Sequence, residues 1–181
     1  MLDTKNEPGW SDMSGAAQPN GGSGSGSHLR VFEILDFQTV EPRNSTNPGD
    51  PEPIPHSPNR LTLATLIVTI PRFITINTVE LIATVGVQGL TGTSQLKFRI
   101  FRDGAQIFET QTGVESDPTS EVFYTETFQA IDTNLRFGTH RFVLTVENAT
   151  AGAEAAVVGP ISFSALAIRR IGRTDSDESC D

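Results

Sequence analysis

The chain has 181 residues, which is enough for one medium-sized domain with extensions. Its 22 acidic and 13 basic residues give a net charge of −9, which argues against nucleic acid and anionic membranes as partners because both select basic surfaces. The only cysteine, Cys180, excludes an intrachain disulfide and a cysteine-based zinc site.

Residues 1–28 are predicted to form a flexible arm. The stretch 21–27 contains only glycine and serine, whose side chains bury too little surface to offset the entropy lost on ordering. Residues 1–20 lack the basic and apolar regions of a signal peptide, and no stretch approaches the roughly 18 apolar residues of a membrane helix. If the protein reaches an extracellular surface, we therefore expect it to leave by another route, such as lysis of the producing cell.

Residues 29–59 are predicted to form a long strand followed by an extended spacer. Apolar side chains occupy both parities of the strand 29–40, which is typical of a strand covered on both faces. They are Leu29, Val31, Leu35 and Phe37 on one parity and Phe32 and Ile34 on the other. Six of the eleven prolines follow between residues 41 and 59, and proline cannot donate a hydrogen bond to a sheet ladder.

Residues 60–168 are predicted to form an all-β core, an eight-stranded antiparallel jelly roll or β-sandwich. Alternation of apolar and polar residues marks the strands, as in Val79–Val87, and Asp103-Gly104 predicts a tight hairpin turn. The short segment 73–76 is counted as one of the eight strands. The strand 29–40 is predicted to lie outside this core as part of an extended N-terminal arm, and residues 169–181 form a charged tail.

Six segments, in this order, resemble exosporium protein C. They are Val79–Gly86, Phe98–Gly104, Thr125–Asp132, Gly138–His140, Leu144–Asn148 and Val158–Ala167. The resemblance covers about residues 60–168 and implies a structural protein of the outermost layer of bacterial endospores, the exosporium. Such a protein is made in the mother cell, which agrees with the missing signal peptide. Residues 1–59 depart from the family pattern, so the mode of assembly stays open.

The sequence predicts neither an enzyme nor a cofactor site. Its three histidines, His28, His56 and His140, do not stand beside an acid and a nucleophile in a recognisable catalytic pattern. A carbohydrate-binding β-sandwich is the alternative, although Trp10 and Tyr124 do not mark an obvious aromatic platform.

Self-assembly is the predicted function, with copies of the same chain as the main partner and other spore-coat proteins as further candidates. One geometry is a closed trimer of jelly rolls. In the other, strand 29–40 adds to a neighbouring subunit and builds a fibre. The candidate donor-strand residues are Leu29, Val31, Phe32, Ile34, Leu35 and Phe37. The same strand could instead fold back on its own core, and Cys180 could join two chains or remain a free thiol.

Overall fold

The computed structural model describes residues 31–119 and 121–171. The predicted arm 1–28, Leu29, most of the charged tail and Cys180 lie outside these residues. Within the two ranges all regular structure is β, and no helix there is long and apolar enough to cross a membrane. The strands are β1 Val31–Arg43, β2 Glu52–Pro53, β3 Leu61–Ile70, β4 Thr78–Thr91, β5 Thr93–Arg102, β6 Ala105–Glu115, β7 Phe123–Thr133, β8 Gly138–Asn148 and β9 Glu154–Ile171.

Two antiparallel sheets form the molecule. Sheet A has the strand order β1-β9-β4-β7, with the short β2 also pairing with β9, and sheet B has the order β3-β8-β5-β6. Consecutive long strands alternate between the sheets except where a hairpin joins β5 to β6, and this order is that of an eight-stranded jelly roll. The predicted fold class is therefore confirmed.

The identity of the eight long strands differs from the prediction in one respect. The segment 29–40 supplies β1, an integral strand of sheet A, whereas residues 73–76 form a loop between β3 and β4. Residue 60 is consequently not a boundary of the β-sandwich. The short apolar segment 73–76 resembled a strand by composition, but Phe73 has a φ of 69°, which is incompatible with extended backbone.

The core fills the space between the two sheets. Phe98, Phe142 and Phe163 are fully buried there, and so are the alternating apolar residues of β4. The ring of Phe128 lies 5.4 Å from that of Phe98 and 5.5 Å from that of Phe108, measured between centroids. Phe108 belongs to β6 and Phe128 to β7, which are edge strands of different sheets. Their rings cover the core on the side where no backbone hydrogen bonds join the two sheets.

The opposite side of the sandwich closes through β1. Leu35 and Val40 of this strand pack against the core, and Asp36 Oδ2 accepts a hydrogen bond of 2.7 Å from the backbone N–H of Thr69 on β3. An edge strand with unpaired N–H groups invites pairing with other chains, and a carboxylate that occupies one of those groups reduces that tendency.

The proline-rich segment 44–60 is more than a spacer. Asn47 N donates to Val158 O at 2.8 Å, Ile54 N donates to Ala155 O at 2.9 Å, and the Ile54 side chain is buried. The segment crosses from sheet A to sheet B while hydrogen-bonded to β9 and, through Pro55 O, to Asn148 N of β8. It therefore holds β1 close to the rest of the chain.

Candidate assembly surface

Strand β1 pairs with β9 of its own chain. Ten residue pairs connect the two strands, from Val31 opposite Ile171 to Arg43 opposite Ile161. In this structure the backbone groups of β1 that face β9 are thus satisfied within one subunit. The strand thus lies on its own core, which is one of the two arrangements that the sequence left open.

A β-bulge at Leu35 decides which side chains of β1 point outward. Ile34 pairs with Ile168 and Asp36 with Ala167, so Leu35 is an extra residue in β1. An extra residue switches the faces of all later side chains. Phe37 therefore lies on the same outer face as Ile34 although the two differ in parity. Parity alone predicts opposite faces for the two residues, and that prediction is wrong because a bulge leaves no clear mark in the sequence.

The outer face of sheet A carries apolar side chains on all four strands. Residues paired across antiparallel strands share a face, so the pairings define two adjacent rows across the four strands. The first row is Ile34, Ile168, Thr78 and Thr133, and the second is Phe37, Leu166, Glu80 and Ile131. We call the apolar members of these rows, with their neighbours Phe32 and Ile82, the apolar face: Phe32, Ile34, Phe37, Ile82, Ile131, Leu166 and Ile168.

Much of the apolar face is open to solvent. Phe32 is 56% exposed, Ile34 66%, Phe37 59% and Ile131 56%. A strand covered on both faces was predicted for this segment, and that expectation is wrong for this chain because only Leu35 and Val40 reach the core. Of the remaining candidate donor-strand residues, Val31 is half exposed beside Ile171 at the end of the sheet.

Several polar side chains that lie beside the apolar face on β4 and β7 are hydrogen-bonded to one another. The Glu80 carboxylate on β4 accepts a hydrogen bond from Gln129 Nε2 on β7, and Thr84 Oγ1 lies 3.0 Å from Thr127 Oγ1 on the same two strands. Groups that already hydrogen-bond to each other lose less when water is removed. Their pairing makes this face more suitable for burial against a partner.

The outer face of sheet B has the opposite chemistry. Glu147, whose side chain is 5% exposed, receives Arg99 Nη1 at 2.6 Å and Ser57 Oγ at 2.7 Å, with Arg60 Nε at 3.4 Å. Burial alone would raise the pKa of Glu147, but the hydrogen bonds from Arg99 and Ser57 outweigh it and hold that pKa below its usual value. The hydrogen bond to Glu147 in turn raises the pKa of Arg99. This face therefore carries a charged network whose central groups are largely covered within the chain.

The described residues do not assemble a recognisable catalytic centre. His140 Nδ1 lies 2.7 Å from Asp103 Oδ2, and its Nε2 lies 2.8 Å from the carbonyl oxygen of Arg136, so both ring nitrogens are occupied by structural contacts. His56 forms an isolated bridge with Asn148. No group of three His, Cys, Asp or Glu side chains in the described ranges is placed to hold a metal ion.

Comparisons with known proteins give only distant structural similarities. No family model and no curated protein matches the sequence. Among solved structures, the chain is similar to dimeric latent PorU from Porphyromonas gingivalis, with a TM-score of 0.46 and 12% identity over 83% of this chain and 14% of PorU. It is also similar to VP2 of infectious bursal disease virus, with a TM-score of 0.40 and 8% identity over 76% of this chain and 38% of VP2.

A third similar structure is the CBM36-1 domain of a multidomain xylanase from the hindgut metagenome of Trinervitermes trinervoides. Its TM-score is 0.35, with 11% identity over 76% of this chain and 99% of that domain. All three TM-scores lie below 0.5, so none of these similarities carries a functional argument. The jelly-roll assignment rests on the strand order itself.

Proposed function

We propose that this protein is a non-enzymatic structural subunit that associates with copies of itself through the apolar face of sheet A. The observation that carries the proposal is that all four strands place apolar side chains on this face, four of them large and more than half exposed. Contiguous exposed apolar surface on a folded domain is typical of an interaction site. The outer face of sheet B differs from it, because it carries the Arg99–Glu147 network.

The magnitude of the apolar contribution favours a concentration-dependent association. Covering the exposed halves of four large side chains contributes about 3–6 kcal/mol gross per copy, or about twice that for a symmetric pair. Rigid association costs about 4–15 kcal/mol in lost translational and rotational freedom. The apolar face alone thus supports a weak contact, and a layer built from many such contacts is stable through their number.

The site of assembly is part of the proposal. The resemblance of residues 60–168 to exosporium protein C supports a place on the spore surface, with the protein made in the mother cell. Other proteins of that layer are then candidate partners beside copies of this chain. Immunogold labelling of intact spores tests this part separately, since absence of surface label would contradict the location while leaving the self-association testable.

A charged substitution in the apolar face is expected to abolish association. Ile34→Lys places an ammonium group between Phe32 and Phe37 on the β1 side of the face. Its burial against a second copy would carry an uncompensated desolvation cost. We expect light scattering coupled to size-exclusion chromatography to show oligomers for the wild type and only monomer for this variant. Ile131→Lys, on the far strand β7 of the same face, should behave alike.

The matched control is Ile67→Lys. Ile67 lies on the outer face of sheet B and is 54% exposed, close to the value for Ile34. This control should associate like the wild type. Equal association by Ile34→Lys and the wild type, or equal loss in all three variants, would contradict the apolar face as the contact. A monomeric wild type at every concentration tested would contradict self-association altogether.

A disulfide cross-link distinguishes pairing of β1 with β9 of its own chain from exchange of β1 between chains. Thr39 of β1 lies directly opposite Ser164 of β9, and paired antiparallel positions have Cα separations that a disulfide can bridge. With Cys180→Ser as background, the double variant Thr39→Cys/Ser164→Cys should give a cross-linked monomer on a non-reducing gel. A ladder of covalent multimers, absent from either single variant, would show that β1 exchanges between subunits as a donor strand.

Binding of carbohydrate is a second candidate, favoured by a groove of about 680 Å³ on the outer face of sheet B. The groove is lined by Phe101, Arg60, Arg141, Thr62 and Thr145 among others. Arg60 stacks over the Phe101 ring at 4.9 Å, which leaves less of that ring free for a sugar. Micromolar binding on a glycan array that is lost in Phe101→Ala would favour this function.

A further inference from the structure

One end of the sandwich exposes three large apolar side chains on adjoining loops. Phe73 is 94% exposed and Ile76 73% exposed in the β3–β4 loop, and Phe137 is 63% exposed in the β7–β8 loop. The two loops surround a hollow of about 420 Å³. Phe73 has a φ of 69°, a left-handed conformation that is unfavourable for an aromatic residue. Such strain at a surface residue is typical of functional loops.

These two loops are held rigidly by Asn77. Its buried side chain donates from Nδ2 to the carbonyl oxygen of Leu135 at 2.8 Å and accepts at Oδ1 from the Leu135 N–H at 3.0 Å. The Asn77 carbonyl accepts a further bond of 2.9 Å from Asn134 N. The exposed aromatic side chains are therefore presented on an ordered backbone, which lowers the entropy cost of binding a partner.

Positive charge surrounds the exposed rings. Arg72 lies over the Phe137 ring at 5.9 Å, and Arg136 directly precedes that residue in the chain. Within residues 31–119 and 121–171 neither arginine has a salt-bridge partner. We call this surface, formed by residues 72–76 and 136–137, the basic end.

The other end of the sandwich carries the complementary charge. Four exposed carboxylates lie where β6, β7 and β9 begin or end, and no described residue forms a salt bridge with them. They are Glu115, Asp117, Glu121 and Glu154. Two of them, Glu115 and Asp117, line a hollow of about 320 Å³ with Gly92, Thr93 and Ser116. Leu90 and Phe123 add partly exposed apolar surface, at 39% and 38% exposure.

We infer that the basic end of one subunit docks on this acidic end of the next. The inference rests on the proposed self-association and adds to it a second, polar contact. Each surface combines apolar groups with unpaired charge of one sign, and the two signs are opposite. Because the surfaces lie at opposite ends of the strands, the contact is head-to-tail and leaves both outer surfaces free. A contact of this kind that does not close into a ring generates a filament.

Charge reversal at each end gives a direct test. The double variant Arg72→Glu/Arg136→Glu has two acidic ends. The triple variant Glu115→Arg/Glu121→Arg/Glu154→Arg keeps Asp117 as the one carboxylate of the four and has two basic ends. We expect negative-stain microscopy to show filaments for the wild type and at least tenfold shorter ones for each variant alone. An equimolar mixture should restore filaments, because each variant then meets only complementary ends. Wild-type filaments should also shorten at about 0.5 M NaCl, where charge interactions are screened.

The control Gln111→Glu/Arg141→Glu adds a similar amount of negative charge on the outer face of sheet B, where Gln111 lies opposite Lys97 and Arg141 opposite Ile67. It should leave filaments unchanged. Thermal unfolding of each variant verifies that it is folded. Filaments of wild-type length in either reversed variant alone, or a mixture of folded variants that stays unassembled, would overturn the head-to-tail contact. Wild-type dimers or trimers without filaments would also overturn it while preserving the proposed function. A strictly monomeric wild type would defeat the proposed function itself.

Discussion

Replacing Gly86 with alanine is expected to destabilise the protein by about 3–5 kcal/mol, a very large effect for one added methyl group. A Cβ at this position would lie 1.8 Å from the carbonyl oxygen of Gly159 and 2.3 Å from its carbonyl carbon. Both atoms are backbone and cannot rotate away. Relief would require β4 and β9 to separate at the centre of sheet A, where the pairing shifts register between Val85 and Val87.

Gly113→Ala on β6 is the matched control for this prediction. Its added Cβ would meet the side-chain amide of Gln95 at 3.4 Å, an ordinary contact with a movable group. We expect a change within about 1 kcal/mol for the control by urea denaturation, because removing a glycine also reduces the entropy of the unfolded chain. A Gly86→Ala protein with a midpoint and slope close to those of the wild type would show that β4 and β9 are not so closely apposed.

Replacing Glu147 with glutamine is expected to cost about 2–4 kcal/mol, a little below the usual loss for a broken buried pair. Arg99 and Arg60 would lose their shared carboxylate, and Ser57 would lose a charged acceptor. Arg99 keeps a second partner, since its Nε lies 2.6 Å from Glu109 Oε2, and this moderates the loss. Glu109→Gln is the control; Glu109 is 39% exposed, and its removal should cost less than about 1 kcal/mol.

The stability that Glu147 contributes is expected to depend on pH. The pKa of Glu147 is lower in the folded than in the unfolded chain, so its contribution is complete above the ordinary glutamate pKa of about 4.3. It is lost as the pH falls through the lowered folded value. Urea denaturation should therefore show a steeper loss of stability below about pH 4.3 for the wild type than for Glu147→Gln. Parallel curves for the two proteins would mean that Glu147 is not held in this network.

The charge network also explains why the proline-rich segment is ordered. Ser57 and Arg60 belong to the connection between β1 and β3, and both contact Glu147 on β8. The connection is thereby fixed to sheet B at one point and to β9 at another, through Ile54 N and Ala155 O. Exchange of β1 into a neighbouring subunit would have to break some of these contacts, so docking of intact sandwiches through their surfaces is the less costly route to assembly.

The sequence by itself determined the fold class. Alternation of apolar and polar residues along β4, β5 and β8 reports burial of one face, because successive side chains of a strand point to opposite sides. The Asp103-Gly104 turn is visible for a local reason as well, since both residues adopt the positive φ that such a hairpin needs. Signals of this kind depend on neighbours in the chain and can therefore be recognised without tertiary information.

Only the tertiary structure decided where the strand 29–40 lies and which surface it builds. Its pairing with β9 joins residues more than a hundred positions apart, and the bulge at Leu35 brings Phe37 onto the same face as Ile34. The unpaired arginines and carboxylates lie at opposite ends of the sandwich because the tertiary structure brings loops that are distant in sequence together at each end. Pairing, bulges and loop clustering depend on contacts distant in sequence, so a local pattern shows that a segment is apolar or charged but not what lies beside it.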